Sequence, residues 1–102
     1  MTYLIVETTY DLPLTDDQRQ GDQDRLYACM ALRDVRWVQS FESADRKRKI
    51  CLFEGPDAEA LRESLRSAHI PFDRVWNADW RRPEAGDLAD GAPVSAAVVV
   101  GD

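Results

Sequence analysis

The sequence predicts an α+β domain of the ferredoxin-like type, β-α-β-β-α-β, over residues 1–78. Three observations lead there. Four short runs are rich in β-branched and aromatic residues, and the first and third stop at Asp11-Leu12-Pro13 and Gly55-Pro56-Asp57. Two stretches with helix caps separate the first run from the second and the third from the fourth. The second and third runs lie close enough to form a hairpin. With right-handed crossovers this order folds into a four-stranded antiparallel sheet carrying both helices on one face.

The first strand is Tyr3-Leu4-Ile5-Val6-Glu7-Thr8-Thr9-Tyr10. It is apolar at both parities and stops at Asp11-Leu12-Pro13, the mark of a central strand. Thr15 or Asp16 then caps a helix running toward Arg33. Its apolar face comes late, at Leu26, Cys29, Met30 and Leu32, whereas residues 16–25 are almost wholly polar and Gly21 is a candidate break. Residues 36–43 form the second strand, 44–47 the turn and 48–54 the return strand. Gly55-Pro56 ends it, and Asp57 caps a second helix with Ala58, Leu61, Leu65 and Ala68 in one stripe. Pro71 closes that helix and residues 72–76 form the fourth strand. Residues 79–102 differ in kind. They are linker-like at Pro83, Gly86, Gly91 and Pro93, with a short strand expected at 94–100, and are read as a packing arm.

Composition narrows the function. A chain of 102 residues, 44% apolar and 31% charged, is one soluble domain's worth. Its net charge of −6 and pI near 4.7 repel polyanions, so neither nucleic acid nor an acidic membrane is an expected partner. The apolar run at 94–100 is too short to span a bilayer. The start lacks the charged segment of a signal peptide, so a cytoplasmic location is expected. Cys29 and Cys51 have no Cys-x-x-Cys context and are read as reduced, buried hydrophobes. No dinucleotide, P-loop, nucleophile-elbow or metalloprotease motif occurs, and neither a metal nor another cofactor is expected.

The strands are apolar at both parities while two helices cover only one face. The other face is most simply buried against its own copy, so a two-fold homodimer closing into an α+β barrel is expected.

Glu7 and Glu54 stand out as candidate catalytic groups. They are read as lying near the ends of neighbouring strands, taken as parallel, among Ile5, Val6, Leu52 and Phe53. Burying a carboxylate there costs several kcal/mol unless it is paired. Two such groups close together push one pKa up and create a general acid or base. For Glu54 the alternative is a surface pair with an arginine. Tyr3 and Thr9 share Glu7's parity and place hydroxyls beside it. Trp37, Gln39 and Phe41 share one parity of the second strand, with Ser40 on the other. That set suits a pocket for a flat small organic ligand, and equally a dimer core. Residues 46–49 are four consecutive basic side chains, read as a solvated loop.

Val6-Glu7-Thr8-Thr9-Tyr10, Val35-Arg36-Trp37-Val38-Gln39-Ser40-Phe41, Ser43-Ala44-Asp45, Cys51-Leu52-Phe53-Glu54-Gly55-Pro56-Asp57 and Ala68-His69-Ile70-Pro71 occur in that order. Over residues 3–76 the chain thereby resembles domain-of-unknown-function family 4242, the nickel-binding-protein-like branch of the dimeric α+β barrels. The resemblance implies a homodimer of ferredoxin-like subunits with an internal pocket. Nickel binding is known in one branch, and cofactor-free enzymes occur among neighbouring barrels. In the nickel pattern the position of Gln39 is often histidine and that of His69 usually glycine. Nickel prefers imidazole, so this chain is read as lacking the metal. Three functions follow: a cofactor-free isomerase, cyclase or dehydratase using Glu7 or Glu54; alternatively, a nickel or divalent-metal binder without catalysis; or a structural or interaction module.

Overall fold

The computed structural model describes residues 1–83. The elements are β1 (Thr2–Thr9), α1 (Asp16–Ala31), β2 (Arg36–Glu42), β3 (Arg48–Gly55), α2 (Ala58–Ser67) and β4 (Arg74–Ala78). They build one antiparallel sheet in the order β2-β3-β1-β4, the ferredoxin-like arrangement read from the sequence. The strand expected at 94–100 lies outside the described residues. The fourth strand begins two residues later than expected, at Arg74, and the Asp73 amide just before it donates to the Glu7 carbonyl at 2.8 Å.

Local signals explain both helices. The Thr15 hydroxyl accepts from the Gln18 amide at 3.1 Å, and the Gln18 side chain accepts from the Thr15 amide at 2.9 Å. This capping box, with Asp16 and Asp17 in the first turn, starts α1 despite its polar sequence. Pairs one turn apart, Asp16–Arg19 at 3.1 Å and Asp22–Arg25 at 2.6 Å, carry it through Gly21 without a break. In α2 the Asp57 carboxylate accepts from the Ala60 amide at 2.8 Å, and Leu61 and Leu65 are fully buried. His69 takes the left-handed conformation (φ 58°) that ends the helix, and the Ile70 amide returns to the Leu65 carbonyl at 2.9 Å.

The two sheet faces differ. Leu4, Val6, Cys51, Phe53 and Val75 face the helices and close on Met30, Leu61, Leu65 and Ala68. The opposite face carries Tyr3, Ile5 and Glu7 of β1, Phe41 of β2, Ile50 and Leu52 of β3 and Trp76 of β4. No helix covers it. Phe41, Trp76 and Ile50 remain 65%, 45% and 39% exposed there, and Trp80 stands edge-on to Tyr3 at 5.6 Å between ring centres.

Two expectations are corrected. β1 and β3 run antiparallel, with Tyr3 opposite Glu54 and Glu7 opposite Ile50. The hairpin between β2 and β3 reverses the chain, so β3 cannot share β1's direction. A bulge between Trp37 and Gln39 also breaks the alternation of β2. It turns Trp37 to the helix side beside Phe53 and places Arg36 opposite Glu54 on the uncovered face.

Candidate functional site

α1 cannot lie flat on the sheet. Its first ten residues carry no large apolar side chain, and Met30, near its end, is its buried residue. The helix therefore roofs β2 and β3 at a distance and leaves a pocket of about 270 Å³. Leu26, Tyr27 and Met30 form the roof, while Trp37, Cys51 and Phe53 form the floor. The Tyr27 and Trp37 rings are 6.4 Å apart, inclined at 54°. The walls are thus aromatic and thioether surface, suited to apolar and planar molecules.

The polar atoms of the floor are engaged with one another. The Trp37 indole donates to the Ser40 hydroxyl at 2.7 Å, and that hydroxyl donates to the Cys51 sulfur at 3.0 Å. Burial pushes the Cys51 thiol up, with the Ser40 contact opposing it, so Cys51 is a poor nucleophile. At the mouth Arg19 grips Glu42 through two hydrogen bonds of 2.9 and 2.6 Å. The Arg19 guanidinium holds the Glu42 carboxyl below the usual carboxylate range, outweighing the cost of partial burial. A lowered acid contributes stability above about pH 4.3 that is lost as pH falls through its folded value. Arg19→Met is therefore expected to return the Glu42 side-chain titration, followed by carbon NMR, to the ordinary range and to flatten the loss of stability below that pH.

The sequence-predicted residues do not converge. Glu7 and Glu54 share the uncovered face but are four residues apart along the paired strands, about 13 Å. At that separation they do not form a carboxylate pair. Glu7 accepts from the Trp76 indole at 2.8 Å and lies 3.4 Å from Arg74, whereas Glu54 is bound by Arg36 at 2.6 Å. Tyr3 packs on Trp80, and the Thr9 hydroxyl is bound to Asp73 rather than placed beside Glu7. Gln39 and Phe41 line a smaller hollow of about 190 Å³ on the uncovered face, with Ile5, Leu52 and Trp80. Trp37 and Ser40 alone enter the helix-side pocket. The residues missed were Tyr27, Met30 and Lys49. Lys49 shares parity with Cys51 and Phe53, an alternation that already placed it on the inner face rather than in a solvated loop.

Residues 3–77 match the family described as nickel responsive protein SCO4226-like. The chain belongs to that family. Among solved structures it is similar to the crystal structure of SCO4226 from Streptomyces coelicolor A3(2), with a TM-score of 0.70 and 20% identity, covering 78% of this chain and 99% of that one. At that identity the likeness concerns the fold. A search of curated proteins finds no significant match.

The family description raises the question of nickel, which takes imidazole, thiolate and carboxylate donors. The single histidine, His69, is exposed at the end of α2. Cys51 is buried against Ser40, and among the described residues no three His, Cys, Asp or Glu side chains gather as a donor set. The donors of one described chain do not fit the metal. Among those residues no helix is long and apolar enough to cross a membrane.

Proposed function

We propose that this chain is a homodimeric binding protein that holds a small organic molecule between α1 and the sheet without turning it over. The observation that carries the reading is the 270 Å³ pocket with Tyr27, Trp37 and Met30 in its walls. Its size falls just under the usual range for drug-sized ligands, about 300–1,000 Å³, and suits one or two rings. Binding is favoured over catalysis because both candidate acids stand on the other face of the sheet, each tied to an arginine. That other face, with Phe41, Ile50 and Trp76, supplies the apolar area for a second copy.

The test follows the three tryptophan indole N–H signals by NMR while neutral and charged one- and two-ring compounds are added. Trp37 reports the pocket, and Trp76 and Trp80 report the uncovered face. Saturable movement of the Trp37 signal by several compounds is expected. A Trp37 signal that none of them moves would sink the reading.

The family description favours a second reading, a nickel- or divalent-metal-binding protein without catalysis. Calorimetric titration of nickel into metal-free protein decides it. A stoichiometric site would establish it, and no heat at millimolar nickel would end it.

A further inference from the structure

The pocket's charges point to the class of its occupant. Arg46, Asp16, Arg19 and Glu42 form a chain of ion pairs at 2.8, 3.1 and 2.6 Å, two cations against two anions. Asp22, nearby on α1, is taken by Arg25 at 2.6 Å. Lys49, which lines the pocket from the inner face of β3, has no carboxylate within ion-pair distance among the described residues. Its ammonium sits 5.9 Å from the centre of the Tyr10 ring, and its charge opposes the rise that burial gives the Tyr10 phenol. Glu42 stands opposite Lys49 in the β2–β3 ladder but is held by Arg19, so the mouth carries one cation without a contact ion pair among the described residues. The floor offers little else to a polar ligand, since the Trp37 indole and the Ser40 hydroxyl are already engaged.

Resting on the pocket reading above, we propose that the ligand is a small aromatic monoanion, its ring against the wall formed by Tyr27, Trp37 and Met30 and its acidic group at Lys49. The ring replaces water against aromatic and thioether walls. The carboxylate or sulfonate gives Lys49 the contact ion pair that no side chain among the described residues makes with it, in a half-enclosed site where such a pair is stronger than in open water. A neutral ring system gains only the first term. A cation meets Lys49 and is rejected.

The experiment uses the full chain and two probes of one shape, 2-naphthoate and 2-naphthalenemethanol, with affinities read from the Trp37 indole signal. The anion is expected to bind at least tenfold more tightly than the alcohol. Lys49→Met is expected to lower naphthoate affinity by a similar factor and leave that of the alcohol within twofold. Lys49→Arg, which keeps the charge, is expected to preserve the preference, separating charge from any effect on folding. Equal affinities for the two probes in the unaltered protein would overturn the anion assignment while the pocket reading stood. If neither probe moved Trp37, the pocket reading itself would fall. Movement confined to Trp76 or Trp80 would place the ligand on the uncovered face and overturn the assignment.

Discussion

Phe41→Asp is expected to turn a dimer into a monomer. Phe41 lies on edge strand β2, 65% exposed in the single chain, so the fold of one subunit loses little when it becomes polar. In a dimer built on the uncovered sheet face the same position is buried, together with Ile50, Leu52 and Trp76. A carboxylate forced into that contact costs at least about 2 kcal/mol on each copy. The two-fold axis doubles this, which raises the dissociation constant about a thousandfold. Sedimentation at micromolar protein should give twice the 11.6 kDa chain mass for the unaltered protein and the chain mass for the variant. A monomeric unaltered protein would remove the dimer from the proposal.

Leu61→Ala is expected to cost about 3 kcal/mol, within the 2–5 kcal/mol span of such core truncations. Leu61 is fully buried on α2, in the cluster that contains Leu4, Phe53 and Leu65. The helix has no slack with which to refill the space, since Asp57 fixes one end and His69 the other. Domains of this size are stable by roughly 5–15 kcal/mol, so the change removes a large fraction of the total. Urea denaturation at fixed protein concentration measures it and holds constant any contribution from the proposed self-association. Leu12→Ala, at a position 78% exposed, is the control and should shift stability by less than about 0.5 kcal/mol. A loss under about 1 kcal/mol for Leu61→Ala would contradict the packing of α2 described above.

Most of the fold was legible because its signals are local. The Thr15–Gln18 capping box, the Asp57 cap and the apolar stripe of α2 depend on neighbours within one turn. Strand β1 announced its central place by being apolar at both parities. The site was less legible because it depends on register between distant strands. The bulge near Val38 follows from how β2 meets β3, and no spacing within β2 reveals it. It moved Trp37 into the pocket and left Gln39 and Phe41 on the other face. The direction of β3 depends on counting chain reversals, and the miscount brought Glu7 and Glu54 together on paper. The polar first half of α1 was visible as an oddity. Its consequence, a helix held off the sheet above Lys49, required the packing itself.

The division of labour between the two faces is the central claim, and one measurement addresses both halves. Fluorine NMR of 5-fluorotryptophan-labelled protein resolves Trp37, Trp76 and Trp80, the three tryptophans of the chain. Dilution through the dissociation range of the proposed dimer is expected to move the Trp76 signal and leave Trp37 in place. Adding 2-naphthoate at high protein concentration is expected to move Trp37 and leave Trp76 in place. Both perturbations falling on the same tryptophan would contradict the claim that one face pairs with a second copy while the other holds the ligand.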